Sequence, residues 1–199
     1  MLRNSNAHQR RRKLTINFIR HGKTAGNLEQ RYIGRTDEPL CDAGIAELGS
    51  IVCPACDIVV SSPMLRCLTT AALLYPHADV SVYEELRECD FGDFEGKNHI
   101  ELNGNAAYQK WLDGGGLSAF PNGEDSTVFR ARSVNGFLKA VSDHKTVSTI
   151  SFIVHGGTIM SILERFAVPH REFYDYMIGN AHGFITEYDG EKIEITGNI

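Results

Sequence analysis

The stretch Leu14-Thr15-Ile16-Asn17-Phe18-Ile19-Arg20-His21-Gly22-Lys23-Thr24-Ala25-Gly26-Asn27 decides the reading of this chain. Its first half is a short apolar run with β-branched and aromatic residues, which reads as a buried strand. Its second half breaks into a glycine-containing turn directly after an Arg-His pair. Arginine is permanently cationic and forks onto carboxylate or phosphate oxygens, while glycine lets backbone N–H groups come close to a ligand. The junction therefore describes an oxyanion site built around an imidazole at the end of a strand.

Moving outward, two more segments run from an apolar strand into a polar turn and a helix. Ile58-Val59-Val60 ends at Ser61-Ser62-Pro63, where a serine cap and a proline start a helix through Arg66, Leu68, Ala71 and Leu74. Ser148 to Val154 is the strongest strand in the chain. It ends at His155-Gly156-Gly157-Thr158, which opens a helix through Ile159, Ile162 and Leu163. Elsewhere, Asp42 caps a helix to about Ile51, and Ser81-Val82-Tyr83 is a candidate strand. Asp125 to Val141 reads as a long helix with Val128, Phe129, Val134, Phe137 and Leu138 on its apolar side. A hairpin is expected from Phe184 to Tyr188 across Asp189-Gly190 to Ile193 and Ile195.

This alternation predicts an α/β fold, a three-layer α/β/α sandwich on a mostly parallel sheet. Ligands of such sheets sit outside the carboxyl ends of the strands, so Arg20, His21, Arg66 and His155 are expected in one pocket. Residues 88–125 change character, becoming acidic, aromatic and glycine-rich, with a helix expected from Asn98 to Leu112. They read as a small substrate-capping insertion over the C-terminal strand ends, within a single domain spanning 14–199. Residues 1–13, with Arg10-Arg11-Arg12-Lys13, read as a flexible basic tail.

The bulk numbers set limits on function. A 199-residue chain with 42% hydrophobic and 23% charged residues is ordinary globular material. Its formal charge of −5 argues against nucleic acid as a partner, which calls for clustered Lys and Arg. No apolar run is long enough to span a bilayer, and the opening segment lacks the apolar core of a secretory signal. Five cysteines in no scaffold pattern fit a reducing compartment, so a cytoplasmic location without membrane partners is expected. Cys53 and Cys56 form a lone CxxC pair, read as a plain loop rather than a zinc or redox site. Oligomeric state is not legible at this level.

With these motifs in hand, the chain resembles the histidine phosphatase superfamily, the phosphoglycerate mutase-like group, over about Ile16 to Glu187. Arg20-His21-Gly22-Lys23-Thr24 with Asn27 is similar to its nucleophile motif, and Ser61-Ser62-Pro63-Met64-Leu65-Arg66 to its second phosphate-binding segment. Glu85-Leu86-Arg87-Glu88 followed by Phe91-Gly92-Asp93-Phe94-Glu95-Gly96 resembles the segment with the catalytic acid, and Val154-His155-Gly156-Gly157 the second histidine motif. A single such tetrapeptide is common in surface turns; four in order are specific.

The resemblance implies a phosphomonoesterase in which His21 attacks phosphorus and forms a phosphohistidine, with no metal and no cofactor. Arg20, Arg66 and His155 would hold the phosphoryl oxygens, and Glu88 would protonate the leaving alcohol of a small phosphorylated metabolite. Thr24, Asn27, Gly34 and Gly156 are carried over as substrate- or phosphate-binding positions, Thr24 and Asn27 alternatively bracing the loop, and Arg31 and Gly34 the pocket wall. Cys67 stands where alanine is usual, Thr69 where glutamine is usual, and Asp125 where serine follows Pro121-Asn122-Gly123-Glu124. The alpha-ribazole and broad-specificity phosphatase branches are the nearest in pattern. Two alternatives stay open: a phosphoglycerate mutase-type phosphotransferase, and a binding module that has lost catalysis. The segment 88–125 offers only Lys97 and Lys110 as lysines, whereas a mutase must retain a bisphosphate, so hydrolysis is the expected activity.

Overall fold

Apolar residues on both faces of the strands build the core. The computed structural model describes residues 13–199, so the basic run expected as a flexible tail lies, apart from Lys13, outside the described residues. Six strands form one sheet in the order β3-β2-β4-β1-β5-β6. They are β1 (Leu14–Arg20), β2 (Ile58–Ser61), β3 (Val80–Val82), β4 (Thr149–Val154), β5 (Gly183–Tyr188) and β6 (Ile193–Asn198). Strands β3, β2, β4 and β1 are mutually parallel, and β5 runs antiparallel to both β1 and β6.

Because side chains alternate along a strand, each central strand feeds two cores. On one face Ile16, Phe18, Ile150, Phe152 and Val60 meet Phe137, Ala140, Ile159 and Ile162. On the other, Ile19, Ile153 and Val59 meet Cys67 and Ala71. The helices are α1 (Ala25–Leu28), α2 (Asp42–Leu48), α3 (Leu65–Leu74), α4 (Ala106–Asp113), α5 (Ser126–Asp143) and α6 (Gly156–Phe166). With α5 and α6 covering the first face and α3 the second, the three-layer α/β/α arrangement read from the sequence is the one observed.

The apolar stripe of α5 differs from the expected one. Ser126, Phe129, Ser133, Gly136, Phe137 and Ala140 are its buried residues, whereas Val128 and Leu138 are exposed. Gly136 is why the stripe turns: a Cβ there would lie 2.9 Å from Leu86 Cδ2, so the close helix contact runs through a residue without a side chain. The expected helix from Asn98 to Leu112 is also shorter. Residues 98–105 form turns, and α4 starts at Ala106 because the Asn105 side chain caps it, accepting from the Ala107 and Tyr108 N–H groups. Across this segment, Phe94, Leu102, Tyr108, Trp111 and Phe120 form a separate apolar cluster with Cys89 and Phe129.

Candidate active site

The sheet register places three strand ends side by side. Arg20 pairs with Val154 and Ser61 with Ile153, so the next residues along each strand, His21, Ser62 and His155, are neighbours. The ladder continues one step further: the His21 N–H donates to Val154 O at 3.0 Å, and the Ser62 N–H to Ile153 O at 3.2 Å. The two imidazoles lie edge to face, 5.1 Å between centroids at 68°. Both are buried.

His21 Nδ1 lies 2.7 Å from the Gly22 carbonyl oxygen. A carbonyl only accepts, so Nδ1 carries the proton and the neutral ring keeps its lone pair on Nε2. Burial first, then the Arg66 and Arg20 charges, hold the His21 pKa well below 6.5 despite the opposing Gly22 hydrogen bond. His155 is shifted the same way by burial, by Arg66 and by His21. Near neutral pH His21 is thus a free imidazole with an available nitrogen.

Two arginines supply the positive charge. Arg20 lines a cavity of about 600 Å³ outside the strand ends; its Nη1 donates to Ile178 O at 2.7 Å, and its buried Nε–H has no acceptor among the described residues. Arg66 is fully buried in α3. It ties the loop after α1, donating from Nη1 to Thr36 O (2.9 Å) and from Nη2 to Gly34 O (2.8 Å). Its Nε–H is also buried without an acceptor, although Arg66 does not itself line the cavity. Two orphaned guanidinium donors beside two neutral imidazoles form a site short of an anion.

Glu88 lines the same cavity, accepting from the Cys89 N–H at 3.0 Å. Burial raises its pKa above 4.5, partly offset by that N–H and by Arg66 and Arg20. Gly156 and Gly157, which begin α6, also line the cavity; α6 has no side-chain cap, and a Cβ on Gly157 would lie 2.6 Å from Glu88 Oε1. The acid therefore packs against the start of the helix that His155 precedes.

The remaining expected positions divide. Thr24 is buried and caps α1 reciprocally with Asn27: each side chain accepts the other's backbone N–H, at 3.2 and 3.1 Å. Thr24 thus braces the loop and does not line the cavity, whereas Asn27 does. Gly34, expected either as a substrate contact or as support for the pocket wall, also stands off the cavity lining. A Cβ on Gly34 would fall 1.9 Å from Cys89 O, so the position serves close packing of the loop and provides the carbonyl that Arg66 holds. Asp125 caps α5, its side chain accepting from the Thr127 and Val128 N–H groups.

Sequence reasoning passed over two residues of the site. Ser62 Oγ lies 2.8 Å from His155 Nε2, and Asn180 donates from Nδ2 to both His21 O (3.1 Å) and Asn27 Oδ1 (3.0 Å). Ser62 was visible only as part of a motif, and Asn180 carried no signal beyond preceding a strand. His182 beside it is exposed and lies against Asn180 O. The outer part of the cavity is apolar, with Phe91, Trp111, Phe120, Phe129, Met160 and Phe173 on its walls.

The chain matches the histidine phosphatase superfamily (branch 1) across residues 16–197. It belongs to that superfamily. It is 28% identical over 184 residues to the uncharacterized phosphatase PhoE of Bacillus subtilis, covering 89% of this chain and 90% of PhoE. It is 31% identical over 162 residues to 2,3-bisphosphoglycerate-dependent phosphoglycerate mutase 2 of Gloeobacter violaceus, covering 73% and 72%. In fold it is similar to the alpha-ribazole phosphatase from Shigella flexneri, with a TM-score of 0.80 and 23% identity over 92% of this chain and 95% of that one. With the histidine phosphatase model matched over residues 16–197 and a curated relative named as a phosphatase, the chain is a phosphatase-type enzyme, and a mutase stands among its relatives.

Proposed function

We propose that the protein hydrolyses small phosphomonoesters through a phosphohistidine on His21. The observation that carries this reading is the His21–Gly22 contact, which leaves Nε2 unprotonated inside a site with two unpaired guanidinium donors. In the first step Nε2 forms a bond to phosphorus while the bond to the ester oxygen breaks, and Glu88 gives that oxygen its proton. In the second, water attacks phosphorus, Glu88 takes back a proton, and the N–P bond breaks to return neutral His21 and inorganic phosphate. Arg20, Arg66 and His155 hold the phosphoryl oxygens as charge builds on them, and Asn27 and Gly156 border the same space.

Residues 14–199 act as one domain in this reading, with 88–125 capping the substrate. The five free cysteines support a cytoplasmic setting. A mutase reading draws on the relative from Gloeobacter violaceus. Against it, neither Lys97 nor Lys110 reaches the cavity; Lys97 donates to Asp93 O. Phosphate release from a panel of phosphomonoesters in EDTA, with His21→Ala beside the wild type, tests the proposal. Metal-independent release that falls by about 10⁴-fold or more in His21→Ala is expected; activity untouched by that change removes His21 from the mechanism.

A further inference from the structure

The cavity has an uneven charge distribution. Among the described residues, Arg20 on its lining and Arg66 beyond the lining each keep a buried Nε–H without an acceptor. On its walls stand two further arginines, Arg31 and Arg130, and both are already neutralised. Arg130 Nη1 lies 2.9 Å from each oxygen of Glu164, and its guanidinium is stacked 4.0 Å above the Phe173 ring. Arg31 is held by Glu29 at 2.6 Å and by Glu101 at 2.5 and 3.2 Å. The Arg130–Glu164 pair is about four-fifths buried on both sides, so salt and water screen it little.

A second anionic group on the substrate would have to leave water here and meet no net positive charge, with a carboxylate behind each guanidinium. That is unfavourable. An uncharged ring or hydrocarbon would meet apolar walls instead. Two buried donors among the wall residues, Trp111 Nε1–H and Arg130 Nε–H, lack acceptors, so a neutral oxygen or nitrogen on that body would find partners.

We propose that Glu164 sets the substrate class: by cancelling Arg130 it makes the outer cavity a site for the uncharged, apolar or aromatic alcohol part of a phosphomonoester and excludes esters with a second anion. This rests on the phosphatase reading above. It assigns to Glu164, on α6 and outside the cavity lining, a role in specificity exercised through Arg130.

The test compares 1-naphthyl phosphate with 3-phosphoglycerate on the intact protein. Wild type is expected to favour the naphthyl ester in kcat/KM by on the order of tenfold or more. Glu164→Gln keeps the side-chain shape and frees Arg130, and is expected to raise kcat/KM for 3-phosphoglycerate by about tenfold, acting mainly on KM, while the naphthyl ester changes by less than about threefold. Adding Arg130→Gln to that variant is expected to abolish the gain. Calorimetric binding of the same two esters to His21→Ala gives a readout independent of turnover. If wild type releases phosphate from neither ester, the phosphatase reading fails, while the binding preference still decides the character of the cavity. Tighter binding of 3-phosphoglycerate, or a Glu164→Gln change that alters both esters equally, overturns the proposal.

Discussion

The Ser62 hydroxyl lies 2.8 Å from His155 Nε2, and its oxygen also receives the Met64 N–H at 3.4 Å. A serine oxygen has two lone pairs and one proton, so beside the Met64 N–H it can donate to a bare Nε2 or accept from Nε2–H, and the direction of this one bond sets the His155 tautomer. A neutral imidazole donates one hydrogen bond only, so the serine decides which nitrogen can serve a phosphoryl oxygen. Ser62→Ala is expected to lower kcat by about tenfold with a smaller change in KM, and Ser62→Thr to restore most of it. Nitrogen-15 shifts of the His155 ring report the tautomer directly; the same tautomer in wild type and Ser62→Ala would refute this role.

The loop that Arg66 holds depends on a residue with no side chain. A Cβ on Gly34 would sit 1.9 Å from Cys89 O, a backbone atom that moves only with the segment next to Glu88. Gly34→Ala is therefore expected to destabilise the fold by about 3 kcal/mol. The same shift displaces the Gly34 carbonyl from Arg66, so activity is expected to fall further than the folded fraction does. Thermal unfolding beside phosphate release per folded molecule separates the two effects.

What the sequence disclosed follows from how local each signal is. The ends of β1, β2 and β4 were legible because an apolar strand stopping at Arg20-His21, Ser61-Ser62 or His155-Gly156 is a contrast between adjacent residues, and a parallel sheet gathers such ends on one side. The buried face of α5 was legible only in Phe129 and Phe137, because Gly136 faces inward where the approach of Leu86 leaves no room for a side chain, and hydrophobicity alone adds Val128 and Leu138. For Gly34 and Thr24 the sequence left two roles open, ligand contact or support of the loop, and the structure places both off the cavity lining. Contact with ligand and support of the loop beneath it draw on the same residue types, and only geometry separates them. The pairing of Arg130 with Glu164 joins two helices and left no mark in either stretch of sequence.

Trp111 is the sole tryptophan of the chain, it is 8% exposed, and it lines the cavity. It stacks with Tyr108 at 6.0 Å and 14°, and lies 5.2 Å from Phe120 between ring centroids. A ligand body entering the outer cavity must alter the surroundings of this one indole. Titrating an aryl phosphate into His21→Ala is expected to change tryptophan emission saturably, whereas inorganic phosphate, which fills only the floor, is expected to leave it nearly constant. Trp111→Phe is expected to keep turnover of a simple alkyl phosphate within about threefold, since the indole stands off the reacting atoms.

The titrations of His21 and Glu88 fix the direction of the pH profile. His21 attacks in its neutral form, and its pKa lies well below 6.5, so the rise in rate with pH is finished on the acidic side of neutrality. Glu88 donates only when protonated, and its pKa is raised above 4.5, so loss of that proton lowers the rate as pH climbs. For an alkyl phosphate the two limbs give a bell-shaped profile, with His21 setting the acidic limb and Glu88 the alkaline one. A nitrophenolate leaves without a proton, so phosphorylation of His21 by p-nitrophenyl phosphate is expected to lose the alkaline limb. Glu88→Gln is expected to cut alkyl phosphate turnover by about 10²- to 10⁴-fold while a nitrophenol burst persists, because only the later attack of water then lacks its base. An alkaline limb for the alkyl ester that survives Glu88→Gln assigns the proton to another group.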